Sequence, residues 1–376
     1  MAAKSASKDY DRVLLLTTIL LLGIGLIMVF SASFVIAGEN SGDSYYFLKR
    51  QALWVAIGLA ALYLFSRIHY LKLKKLSLII LVLNFVLLGL IFTGFGTDLG
   101  TEAKRWLAFG PIVVQPSEFS KLAFIIFTAA YMSSRRINLR NMWTATILPL
   151  GIATAALFMI SLQPDFGTSV VVLAGAILVV FFAGVPIIRA ASLSLLGLPP
   201  LGYLMVQEEY RLQRIFTFID PWADPGNSGY QVIQSLYALG SGHLFGSGLG
   251  RGRQKLFYLP EPQNDFIFAV IGEELGFIGV VAILMLYLVF IWRGFQIALK
   301  APDLFGSLLA AGITFLTALQ ILLNVAVVTG SLPVTGINLP LISAGGSSIF
   351  FTLISIGILI NISKHTVETK TVQGRS

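Results

Sequence analysis

The sequence predicts an all-α, polytopic membrane protein of about ten transmembrane helices, with one large extracytoplasmic loop between helices 7 and 8. Three observations predict it. Hydrophobic residues make up 56% of the 376 and charged ones only 12%, with a mean hydropathy of +0.84, whereas a soluble domain carries about 25% charged residues. The apolar residues gather in long, continuous segments rather than in the alternating strands of a barrel. The basic residues concentrate in every second connection between those segments.

Taken in order, residues 1–12 form a tail, 13–363 a single membrane domain and 364–376 a second tail. The first apolar stretch, Val13 to Ala37, exceeds a signal-peptide core of about 7–15 residues. It therefore reads as a retained span over 13–36, although Ser31-Ala-Ser33 loosely resembles a cleavage site. Further spans are expected at 52–66, 76–95, 116–133, 143–162, 168–186, 188–206, 266–292, 304–329 and 344–362. Between the seventh and eighth, residues 207–265 stay polar and charged. One set of alternate connections holds sixteen basic and four acidic residues, among them Arg67, Lys72, Arg135 and Lys364, while the opposite set holds nine basic and eleven acidic. The positive-inside rule then places both termini in the cytoplasm and the 207–265 loop outside. The net charge of +8 sets topology and does not point to a nucleic-acid partner. Absence of cysteine excludes disulfides and thiolate metal sites. His69, His243 and His365 are too scattered in sequence to suggest a histidine-rich metal centre.

Four outward segments are rich in polar residues, Gly and Pro. In Gly94 to Lys121, Pro116-Ser-Glu118 reads as a helix start, since Pro suits the first turn and an acid suits the N-terminal dipole. Lys121, three residues on, shares a face with Glu118; the pair either fixes the bundle or lines a site for an anionic substrate. In Gln163-Pro-Asp-Phe-Gly-Thr168, Asp165 fits turn chemistry as well as function.

The 207–265 loop begins with Tyr210-Arg-Leu-Gln-Arg214, whose two arginines share a face if helical. Its glycine-rich part, Gly240 to Arg253, resembles a nucleotide fingerprint only superficially: no strand precedes it and no Gly-Lys-Ser/Thr lies within it. Flexible amides beside Arg251, Arg253 and Lys255 suit phosphate groups, or form an ordinary surface loop. Asp265 sits where loop becomes span, with Glu273 and Glu274 roughly 12 Å deeper at 1.5 Å per residue. An acid at such a boundary is a cap or a general base of raised proton affinity. Capping does not explain three acids in ten positions. The fourth segment, Gly330 to Ser348, is uncharged broken backbone, which is tolerated at membrane depth where it lines a cavity; transporters use the same device.

These segments together resemble the SEDS family of bacterial cell-envelope proteins, over nearly the whole chain from Asp11 to about Ser363. The motifs are Lys104-Arg-Trp106 with Gln115-Pro-Ser-Glu118 and Lys121; Gln163-Pro-Asp165; Gly229-Tyr-Gln231 with Gln234-Ser235; Leu259-Pro-Glu261 with Asp265-Phe-Ile-Phe-Ala269 and Glu273-Glu-Leu-Gly276; and Leu332-Pro-Val-Thr-Gly336 with Leu339-Pro340 and Ser343-Ala-Gly-Gly-Ser-Ser348. Leu26-Ile-Met-Val-Phe-Ser-Ala-Ser33 and Gly357-Ile-Leu-Ile-Asn-Ile-Ser363 look more like the FtsW and SpoVE branches than RodA. Three positions depart from the family pattern: Thr101-Glu-Ala103 replaces Asn-Gly-Ala, Ala344 replaces a tyrosine, and Asn264 replaces a threonine before the acid.

The resemblance implies a ten-helix peptidoglycan glycosyltransferase that polymerises lipid II at the outer face of the bacterial cytoplasmic (inner) membrane, at the division septum if FtsW-like. It implies a class B penicillin-binding protein transpeptidase and other divisome proteins as partners, with membrane lipids around the spans. The family's essential acid falls on Asp265, expected to take the acceptor hydroxyl's proton. Arg211, Arg214, Lys255 and Lys121 are expected to offset the leaving diphosphate's charge, with a divalent cation (Mg or Mn) as a further bridge. Glu118, Glu261, Arg105, Gln231, Ser343 and Ser347 are expected to contact substrate, and Glu273, Glu274 and Asp165 to orient groups. The alternatives are an elongation- or sporulation-specific relative, a flippase or transporter of lipid-linked precursors, and a scaffold for division proteins.

Overall fold

The computed structural model describes residues 10–98, 103–110, 112–135, 137–186, 188–189 and 209–366. Hydropathy decides its long helices: α1 (Arg12–Ser41), α2 (Tyr46–Arg67), α3 (Leu71–Leu90), α4 (Pro116–Met132), α5 (Trp143–Ser161) and α6 (Phe166–Phe182) precede two short ones, α7 (Glu209–Ile219) and α8 (Tyr230–Ser241). The long α9 (Ile267–Lys300), α10 (Leu304–Val328) and α11 (Gly346–Ser363) complete it. Seven of them are long and apolar enough to cross a membrane. Of the span expected at 188–206 only residues 188–189 are described. The protein is an all-α polytopic membrane protein, with one small exception. Between α3 and α4 the chain folds into an antiparallel sheet of β1 (Gly96–Thr97), β2 (Trp106–Phe109) and β3 (Ile112–Val114), in which Leu107 faces Val114.

Capping tightens one end of the bundle. The Asp11 carboxylate accepts the Leu14 N–H at 2.9 Å to start α1 and pairs with Arg293 of α9 at 2.6 Å. Asp303 caps α10 through Gly306 and also accepts the Tyr70 hydroxyl. Asn361 of α11 accepts the Tyr70 N–H and donates to the Ser66 carbonyl. The basic connections foreseen for a single face meet here, with Lys364 on the Ser66 carbonyl and Lys74 on that of Ser133.

α4 runs through the middle, against α3, α6, α10 and α11. It starts at Pro116 with Glu118 in its first turn, as the sequence suggested. α2 and α11 lie along one another. A side chain at Gly357 would stand 2.6 Å from the Leu62 carbonyl oxygen, so only glycine permits that approach.

The expected span at 266–292 is really two helical pieces within α9. Gly276 breaks the helix at φ 67°, ψ −170°, a backbone state open to glycine. The break leaves N–H and C=O groups without helical partners, and the glycine-rich segment before it supplies them. Ser247 and Gly248 N–H donate to the carbonyls of Glu273 and Glu274, while Phe277 and Ile278 N–H donate to those of His243 and Leu244. The two side chains finish the joint. Glu273 accepts the N–H groups of Arg253 (2.6 Å) and Gln254 (3.2 Å). Glu274 accepts Gly250 N–H, the Ser31 hydroxyl of α1, and Lys255 Nζ at 2.6 Å.

With Lys255 and Glu274 side chains 5% and 0% exposed, removing one partner strands a buried charge. Glu274→Ala is therefore expected to destabilise the protein by about 3–5 kcal/mol, read as thermal unfolding in detergent. The double variant Glu274→Leu with Lys255→Met is expected to recover much of that loss; equal loss in both would refute the ion-pair account.

Candidate active site

At the opposite end of the bundle, the ends of α2, α4, α6 and α11 and the loops before α9 and α11 surround a cavity of about 380 Å³. Asp265 stands on its wall, beside Glu261, Arg105 and Arg214. α9 begins at Ile267, with Phe266 in the capping position and no side-chain cap. Asp265 therefore does not cap the helix, and Asn264 spends its amide on Glu261 Oε2 at 2.7 Å. Among the described residues no donor is bonded to the Asp265 carboxyl. Every other inward acid has one: Asp165 accepts from Gln115, Ser117 and the Thr168 N–H, and Glu118 from Lys121 at 2.8 Å.

The environment of Asp265 works against its charge. Burial pushes its carboxyl up to about 6 and the Glu261 carboxylate adds to the rise, Arg214 and Arg105 pull it back, and Asp165 raises it slightly. Two loops present it. Its own segment, 259–266, is bonded to the segment before α11 through Ala344 N–H to the Gln263 carbonyl, 2.8 Å. Gly336, at φ 71°, lies so close that an added Cβ would stand 3.4 Å from the Asp265 carboxylate.

The expected site residues divide. Arg105, Arg214, Glu261, Ser347 and Asp165 line the cavity with Asp265. Arg105 is fixed by the Gln163 and Pro164 carbonyls at 3.2 and 2.5 Å, and Arg214 reaches the Val334 carbonyl at 3.1 Å. Ser347 accepts the Gln115 N–H at 3.0 Å. Ser343 is buried and supports the loop by accepting the Leu339 N–H. Gln231 belongs to the first turn of α8, away from the cavity lining. Arg211 lies on α7, one turn from Arg214. Lys255 was expected at the diphosphate and is instead committed to Glu274 inside the bundle. Lys121 and Glu118 pair at 2.7 Å and line a separate cavity of about 20 Å³ with Thr317, Gln320 and Ser355. Among the described residues, no three His, Cys, Asp or Glu side chains gather as they would around a metal ion.

Sequence reading missed three contributors. Gln51 of α2 donates to the Ser343 carbonyl and accepts the Gly345 N–H. Arg50 and Trp54 lie between the polar cavity and an apolar groove of about 820 Å³ lined by Leu53, Ile57, Phe350 and Phe351. Arg50 and Lys49 had counted only towards topology; their position at a span start was the available signal.

Since burial raises the Asp265 carboxyl above its unfolded value, the folded state loses stability as pH climbs from about 4, where the unfolded chain ionises, to about 6. Asp265→Asn is expected to match the parent in thermal unfolding near pH 4 and to exceed it above pH 6, by up to about 3 kcal/mol. An advantage that is constant across pH would contradict the burial cause.

Comparison with known proteins gives a consistent result. The family model for FtsW, RodA and SpoVE cell cycle proteins matches residues 12–368. Stage V sporulation protein E of Bacillus subtilis (strain 168) is 44% identical over 366 residues, 97% of this chain and 100% of that protein. A Geobacter protein (strain M18) named probable peptidoglycan glycosyltransferase FtsW is 41% identical over 359 residues, 95% of this chain and 97% of its own. Among solved structures, RodA, the rod shape determining protein of Thermus thermophilus, superposes with a TM-score of 0.71 at 28% identity, covering 96% and 98% of the two chains. A chain from a peptidoglycan synthase complex that coordinates polymerization and crosslinking superposes with a TM-score of 0.76 at 30% identity, covering 94% and 98%.

Proposed function

The chain belongs to the FtsW, RodA and SpoVE family, and we propose that it is a peptidoglycan glycosyltransferase that polymerises lipid II into glycan strands during cell division. The observation that carries this reading is an acid with no bonded donor among the described residues, set at a polar cavity joined to an apolar groove. An amphiphile with a long hydrocarbon tail and a diphosphate-sugar head fits that pair of spaces: the tail in the groove, the diphosphate by Arg50, the sugars towards Asp265. The acceptor sugar's hydroxyl oxygen attacks the donor's anomeric carbon as the bond from that carbon to the lipid diphosphate breaks. Asp265 takes the hydroxyl proton, and Arg50, Arg105 and Arg214 offset the charge that gathers on the departing diphosphate. A divalent cation acting here would be held mainly by the diphosphate itself.

On this reading the end bearing Asp265 faces outward and the basic end, with both termini, faces the cytoplasm across the bacterial inner membrane. The septum is the site of action, with a class B penicillin-binding protein transpeptidase and other divisome proteins as partners. The similarity to the peptidoglycan synthase complex supports that partnership. A second reading, synthesis of the spore envelope by the same chemistry, is favoured by the 44% identity to the sporulation protein. Simple translocation of the lipid needs no buried base at a lip.

Purified protein with lipid II separates glycosyl transfer from translocation. The parent is expected to make glycan with activity rising as pH passes about 6, the limb set by Asp265 acting as a base. Asp265→Asn is expected to make none while still binding substrate. Near-normal polymerisation by that variant removes Asp265 from the chemistry. Arg50→Ala is expected to raise KM at least ten-fold, and an unchanged KM would take the diphosphate away from the neck between groove and cavity.

A further inference from the structure

α10 carries one polar side chain that neither the bundle nor the chemistry above has used. Asn324 is 1% exposed. Its single amide nitrogen donates both hydrogens, one to the carbonyl of Asp265 and one to the carbonyl of Ile337, each at 2.8 Å. Both partners are acceptors, so only an NH2 group fits between them. Among the described residues the Oδ1 of Asn324 is buried with no partner, so the amide group is held by its nitrogen alone.

The two carbonyls belong to the two loops that build the acid's surroundings. Ile337 follows Gly336, the residue whose open face lies against the Asp265 carboxylate. Asn324 thus bolts the acid's own backbone to the backbone that walls it, from a helix that touches neither the groove nor the polar cavity.

We infer that Asn324 is a positioning residue for the glycosyl transfer: it holds the Asp265 segment and the Gly336–Ile337 segment at a fixed separation, and through them aims the carboxylate at the acceptor hydroxyl. This inference rests on the reading of Asp265 as the base. A substitution that removes the amide frees both loops without touching any group that contacts substrate. The carboxylate then relaxes towards water and away from Glu261, Arg214, Arg105 and Asp165, the charged groups that face it.

The test uses full-length protein in lipid nanodiscs. Asn324→Ala and Asn324→Asp, the second placing an acceptor against two acceptors, are expected to lower kcat at least ten-fold with KM for lipid II within two-fold. The rise of activity with pH is expected to move below pH 6. Backbone amides at 335–338 are expected to exchange with deuterium at least ten-fold faster, a readout that needs no catalysis and survives even if wild-type protein makes no glycan, which alone would overturn the parent reading. Unchanged exchange at 335–338 overturns the inference. So does a variant that folds in lower yield yet turns over normally per folded molecule with an unmoved pH limb.

Discussion

Backbone polar groups that leave helical geometry at membrane depth find no water, so they must be satisfied by other parts of the chain. The rest of this structure depends on that constraint. Two irregular segments, 242–255 and 330–345, meet it by bonding to neighbouring backbone and side chains rather than by forming helices of their own. The first exchanges four hydrogen bonds with the break in α9 at Gly276. The second is joined to the segment of Asp265 through Gln263 and Asn324 and to α2 through Gln51. Broken backbone is what gives the end bearing Asp265 a concave wall, and its satisfaction is what keeps that wall rigid.

The same accounting sorts the acids. Glu273 and Glu274 are buried within α9 and look, as sequence, like the more provocative residues, since ionisable groups inside membranes are functional candidates by default. Their oxygens are consumed by loop amides, a serine and a lysine. They act as an internal anion around which the glycine-rich loop closes. Asp165 caps α6 and gathers the start of α4. Among the described buried acids, Asp265 alone keeps its carboxyl uncommitted.

That distinction marks where sequence reading reaches its limit. Hydropathy located the long helices because each is a local property of about 20 residues. Pro116 with Glu118 announced a helix start for the same reason. Nothing local announced the strand pairing of residues 96–114, the helices α7 and α8 within the outer loop, or the break inside α9. Lys255 misled most: beside Arg251 and Arg253 it reads as one more surface cation. Only the fold reveals that it turns inward to a carboxylate 19 positions away. Arg50 erred in the opposite sense, counted as a topology signal although the fold sets it between groove and cavity. Family motifs recovered Asp265 and part of its lining, since motif residues record a site without stating contacts. Which of them touch the cavity was legible only in three dimensions.

The balance of charge around Asp265 also bears on when the acid becomes a base. Arg214 and Arg105 hold the carboxyl's proton affinity down against burial and Glu261. The residue is then largely ionised at neutral pH, as a general base must be before reaction. A diphosphate placed among the arginines cancels part of their pull, while the sugars displace water and deepen the burial. Both changes raise the carboxylate's affinity for a proton only once the acceptor hydroxyl stands ready to give one. A base built from a salt bridge would lack this response, because its partner would hold it ionised throughout. On the proposed reading, leaving Asp265 without a partner, at some expense in stability, would make its basicity depend on the substrate.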